Sequence, residues 1–276
     1  MWDAILLWWV LSLLSVIFMI VDWSHAPIDF TMHLAFLLVT LFMGPLGIVL
    51  YILTVREPLP GTHPQYIAAM WKQAVGSTLH CVAGDSVGII GAAVIIYYLG
   101  SVPLPMIINL FSEYVAGFLV GWLIFQSLFM KDMVGGSYVT ALRKMFLPEW
   151  LSMNGVMAGM IAVMVPWIRF RPAAALPSHP EFWFMMSIAL IAGAVVAYPL
   201  NWWLVAAKLK HGLMSTEPPA TPAEHSHAAA DHAAHDPTFH SSPLTPRHTE
   251  GVTKKLAPIV IWSVGLLAAS LGLTLL

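Results

Sequence analysis

The chain has 276 residues, 59% of them hydrophobic and only 9% charged, with a mean hydropathy of +0.79. Those values exclude an ordinary soluble domain. A formal net charge of −2 leaves no basic footprint for nucleic acid, and a single cysteine, Cys81, excludes an internal disulfide.

Stretches of about 17–25 apolar residues are long enough to cross a bilayer, and backbone groups in hydrocarbon must be satisfied within the segment, so such stretches are helices. Seven are expected, near Ile5–Val21, Met32–Thr54, Ser77–Leu99, Leu104–Met130, Leu151–Ile168, Phe182–Leu204 and Leu256–Leu276. The fold class is therefore all-α, a polytopic membrane helix bundle. The opening MWDAILLWW lacks the basic region and small-residue cleavage site of a signal peptide and reads as a retained span.

After the first span, VDWSHAPIDFTMH offers Asp22, His25, Asp29, Met32 and His33 without a basic residue, a loop suited to gathering a cation. Thr54–Gly76 carries EPLPG and a short amphipathic stretch. The third span, GSTLHCVAGDSVGIIGAAV, holds His80, Cys81 and Asp85 beside a face of small residues (Ser77, Gly84, Gly88, Gly91) that lets a neighbouring helix approach closely. The fourth places Asn109, Glu113, Gly117 and Gly121 at four-residue steps on one face. Ionisable groups at membrane depth are costly and mark a pathway, a proton relay or a site. Lys131–Trp150 reads as an interfacial helix ended by Pro148. The fifth span, EWLSMNGVMAGMIAVMVPW, aligns Met153, Met157, Met160 and Met164 within a narrow stripe. Thioethers fill irregular cores well, but they are also the soft ligands that select Cu(I).

Gly212–Thr253 is rich in Pro, Ser, Thr, Ala and His and has little apolar periodicity, so it is expected to be a disordered cytoplasmic tether. Its EHSHAAADHAAHD run (His225, His227, His232, His235) resembles the His tracts that bind metals. The expected organisation is a six-span core over 1–211, the tether over 212–253 and a last span over 254–276. A cytoplasmic N-terminus puts ten of the twelve basic residues inside, leaving Arg169 and Arg171 outside with the C-terminus. The expected location is a bacterial inner membrane.

At HCVAGDSVGIIG, EYVAGFLVGWLIFQSLFMKDMVGGSYVTAL, PEWLSMNGVMAGM and AYPLNWWLVAAKLKHGLM the chain resembles DUF4396, a family of bacterial integral membrane proteins without an assigned activity. The resemblance covers about Trp71 to Met214. It implies a membrane fold and transfers no catalytic residues.

No P-loop, HExxH or Ser-His-Asp pattern points to an enzyme. The expected function is a transition-metal permease or metal-handling protein, with Cu(I) favoured. His80, Cys81, the methionine stripe, His25, His33 and the tether histidines would hold metal. Asp85, Glu113 and Asn109 would compensate charge or move protons. Copper or another soft or borderline transition metal is the ion this pattern admits; the lipid bilayer and metal ions are the expected partners, with a second copy or a membrane partner also open. The competing reading is a non-catalytic accessory or assembly subunit, with the glycine faces as docking surfaces.

Overall fold

A computed structural model describes residues 2–59, 61–100, 104–134, 136–216 and 246–275. Every regular element among them is helical: α1 (Trp2–Asp22), α2 (Phe30–Met43), α3 (Pro45–Thr54), α4 (His63–Ile67), α5 (Met70–Leu99), α6 (Met106–Leu119) continued by a π-helix (Val120–Leu128), α7 (Tyr138–Phe170), α8 (Pro180–Ala206) and α9 (Pro246–Gly272). Five stretches are long and apolar enough to cross a membrane: Trp2–His25, Met70–Leu99, Met106–Leu128, Tyr138–Phe170 and Pro180–Ala206. This is an all-α bundle of the multi-pass membrane kind. α5 and α7 form its centre, and much of the surface of α1 is apolar and exposed, as a lipid-facing helix requires.

The stretch 32–54 is not one span. Asp29 caps α2 by accepting from the Thr31 amide at 3.0 Å. The helix then stops at Gly44, whose φ of 62° suits glycine, and Pro45 opens α3 in the reverse direction. Phe36 meets Tyr51 with ring centroids 5.6 Å apart, and Thr40 backs directly onto Gly47. These pairings make α2 and α3 an antiparallel hairpin that enters and leaves at one end of the bundle. At 14 and 10 residues, each arm is too short to cross. Hydropathy alone sees one 23-residue, largely apolar stretch and cannot register the reversal.

The hairpin overturns the expected sidedness. Arg56 and the loop at Asp22, assigned to opposite faces of the membrane, form an ion pair at 3.1 Å. Tyr51 adds a hydrogen bond to Asp22 at 3.1 Å. The same end gathers Pro27, whose carbonyl accepts from the Thr216 amide at 2.8 Å, and His63, bonded to Ser215 at 2.8 Å. This basic end also receives the start of α5 and the chain leaving α8. The opposite end holds Arg169, Arg171, His179 and Glu181, with Arg171 paired to Glu181 at 3.2 Å. Trp2 packs on His179 there, and Arg169 donates to the Thr274 carbonyl. Trp2 and Thr274 thus lie at the same end, not at opposite ends.

Two smaller corrections concern boundaries. Pro148 does not end an interfacial helix; α7 runs unbroken for 33 residues through Pro148 and Pro166. Packed neighbours make proline tolerable in such helices by taking up freed backbone groups. α9 begins at Pro246 and lies along α7, tied by Asn154 to the buried Ser263 at 3.3 Å. The tether histidines His225, His227, His232 and His235 fall outside the described residues.

Candidate functional site

Small residues bring the central helices close enough to bury polar groups between them. A Cβ at Gly88 would meet the Ala116 carbonyl, and one at Gly159 the Ala192 carbonyl, so backbones touch at both crossings. Nearer the basic end the α5–α6 crossing widens into the π-helix. This is a rare geometry that recurs at functional sites. Its wide turn, seen in the Phe129 amide donating to the Ile124 carbonyl at 2.9 Å, faces Gly121, Phe125 and Gln126 towards α5 and α7.

There a polar cluster is sealed from solvent. Cys81 on α5 donates to Glu149 Oε2 on α7 at 3.1 Å, and the Gln126 amide donates to Cys81 Sγ at 2.9 Å and to His80 Nδ1 at 3.1 Å. Lys210 enters from the strap that follows α8. Its ammonium touches Cys81 Sγ, Glu149 Oε2 at 3.2 Å and Asn201 Oδ1 at 3.0 Å. Asn201 is held in turn by Ser152 at 2.8 Å and the Ala197 carbonyl. Cys81, Asp85, Glu149, Gln126, Asn201 and Lys210 are all within a few per cent of full burial. Burial alone would lower the Lys210 ammonium, but the Cys81 and Glu149 beside it hold it above its ordinary range.

Asp85 completes the cluster differently. Its Oδ1 and Glu149 Oε1 both crowd the spot where a Gly121 side chain would begin, and the two carboxyls face one another. Neither Asp85 oxygen has another partner, nor does Glu149 Oε1. The imidazoles of His80 and His211 meet edge to face with centroids 5.4 Å apart, and each leaves its Nε2 unpartnered. Burial pushes the His211 imidazole down to about 4.

The remaining expected residues are dispersed. Met153, Met157, Met160 and Met164 are buried in the interior, but they serve different neighbours: Met153 reaches Gly117 of α6, and Met160 reaches Gly193 of α8. His33 stacks on Trp23 at 4.4 Å, and His25 stands 3.6 Å from Asp22, both at the basic end. Among the described residues no group of three or more His, Cys, Asp and Glu side chains is arranged to hold a metal ion. Four cluster members carry no site expectation from the sequence, Gln126, Glu149, Asn201 and Lys210, and His211, expected among the tether histidines, is buried here against His80. Glu149 follows a proline expected to end a helix, and Lys210 counted only as a topogenic charge. Gln126 and Asn201, lone amides inside apolar spans, were the one available signal.

A second polar feature lies towards the opposite end. Glu113, 6% exposed, and Asn109 sit in a cleft of about 470 Å³ between α5, α6, α7 and α8. Glu113 Oε2 and Asn109 Oδ1 have no hydrogen-bond partner.

No curated protein and no solved structure matches the chain. The model of DUF4396, a domain of unknown function, matches residues 70–210, which span α5 to the cluster lysine and just over half of the sequence, and the chain belongs to that family.

Proposed function

We propose that this protein is a cation permease of a bacterial inner membrane, with a soft transition metal, Cu(I) foremost, as its cargo. The observation that carries this reading is the seat of Lys210: an ammonium surrounded by a thiol sulfur, a carboxylate oxygen and an amide oxygen in the middle of a helix bundle. Buried ion pairs seldom stabilise more than apolar packing of the same volume, so so polar a core argues for a task beyond stability. Lys210 acts as an internal cation that keeps the seat closed. When the strap withdraws, Cys81 and Glu149 become available to a cargo ion, with His80 Nε2 close by. Soft sulfur favours Cu(I) over Zn or Mg. The facing carboxyls of Asp85 and Glu149 repel one another, which adds to the pull on a cation between them.

The positive-inside rule orients this reading. Arg56, Lys72, Lys131, Arg143, Lys144, Lys208 and Lys210 sit at the basic end, against Arg169 and Arg171 at the other, so we place the basic end in the cytoplasm. Trp2 and Thr274 then face outwards.

The test is metal analysis of the purified chain together with Cu(I) uptake into proteoliposomes, Ag(I) serving as a redox-inert substitute. Cys81→Ser should cut uptake at least tenfold while leaving the protein folded. Met157→Leu with Met160→Leu conserves volume and costs under about 1.5 kcal/mol of packing per site, so a large loss of uptake would place those sulfurs on the route. Metal-free protein without ion flux, isolated with one stoichiometric membrane partner, would replace this reading by an accessory subunit.

A further inference from the structure

The cleft at Glu113 is built from parts that do not suit a bare ion. Its volume, about 470 Å³, lies in the range of sites for drug-sized organic molecules. Its walls are apolar and soft, with Leu110, Met164, Phe182 and Met185 around the acid and Tyr97 at the rim. Phe182, Met164 and Met185 are themselves almost fully buried, so the walls are fixed by packing. No lysine, arginine or histidine lines it. Glu113 is therefore the one charge-bearing side chain of the lining, more than nine-tenths buried and with Oε2 unpartnered. An orphan carboxyl in such surroundings costs free energy unless a ligand supplies the missing donor. Asn109 Oδ1, also unpartnered, offers a second acceptor one helical turn away.

We propose that this cleft is a binding site for an amphipathic organic ammonium ion, its cationic head on Glu113 and Asn109 and its apolar body among Leu110, Met164, Phe182 and Met185. The head donates N–H bonds to both acceptors, and the thioethers and ring accept an aliphatic or aromatic body of about a dozen atoms. A metal ion would find one carboxylate, one amide and scattered thioethers in a space far larger than its coordination shell. This site is independent of the cluster around Lys210 and stands whether or not the protein carries copper.

The experiment is isothermal titration calorimetry on the purified full chain in non-ionic detergent, using 4-phenylbutylamine and its neutral isostere 4-phenylbutanol. The amine should bind saturably at one site, and the alcohol at least tenfold more weakly. Glu113→Gln keeps the volume and removes the charge; it should weaken the amine roughly 10- to 100-fold and leave the alcohol unchanged. Ala93→Trp, which leaves Glu113 in place and fills the cleft from the α5 wall, should abolish binding of the amine. Equal binding of amine and alcohol would overturn the proposal, as would heat fully accounted for by empty micelles. Amine binding that survives both variants would do the same.

Discussion

The two polar regions of this bundle handle buried charge in opposite ways. Near the basic end, Lys210, Glu149, Cys81, Asn201 and Gln126 bond to one another around an internal cation, while Gln126 Oε1, Glu149 Oε1 and the Asp85 oxygens at its edge find no further partner. In the other half, Glu113 has no ion-pair or hydrogen-bond partner on its Oε2 and looks into an open apolar cleft. The contrast shows that burial alone does not define a site. A network that contains its own cation offsets its acid internally, whereas a lone acid has no such counter-charge beside it.

The sharpest way to break this contrast is to remove the internal cation. Lys210→Met leaves two carboxyls and a thiol buried without it, and should destabilise the protein by about 3–5 kcal/mol in thermal unfolding in detergent. Adding Glu149→Leu should recover much of that loss, because the uncompensated charge goes with it. No recovery would mean that the lysine acts mainly through packing of its stem.

The next effect is a pH dependence to which the cluster contributes through His211. His211 titrates near 4 in the folded protein because it is buried, against about 6.5 in the unfolded chain. The unfolded state therefore binds the extra proton as pH falls. The contribution is complete above about pH 6.5 and is lost progressively towards pH 4, up to about 3 kcal/mol. Melting temperature measured from pH 7 to 4.5 should fall, and His211→Gln should flatten that slope.

Gly121→Ala sharpens the comparison at the carboxyl pair. The new methyl would collide with both Asp85 Oδ1 and Glu149 Oε1, and overpacking of this kind costs about 1–3 kcal/mol. The same denaturation assay reads it. The smallest expected change is in the other half: Glu113→Gln replaces an orphan carboxyl and should leave the melting temperature unchanged or slightly higher. A large loss there would mean that Glu113 is paired after all, and the two regions would no longer differ in kind.

Much of the fold was legible in the sequence. Glycine at four-residue steps does mark the touching faces of α5 and α6, where Gly88 meets Ala116 and Gly117 meets Ile89. The methionine stripe does face inwards. His80, Cys81 and Asp85 do sit in or beside one cluster, because two consecutive turns of α5 carry them. What failed was anything that depended on where the chain turns back. The α2–α3 hairpin hides inside a largely apolar run, and reading it as a span put Asp22 and Arg56, which pair at one end, on opposite sides.

The sequence by itself determined an all-helical bundle with lipid-facing surfaces, because apolar length and backbone hydrogen bonding in hydrocarbon leave no other solution. It also determined which helices could approach closely. Only the tertiary structure decided the partners: that Lys210 folds back from the strap onto Cys81, that Glu149 rather than Glu113 faces Asp85, and that Glu113 is left to a cleft. Composition and period act within a helix, whereas these pairings join residues 45 to 129 positions apart through contacts that no local pattern encodes.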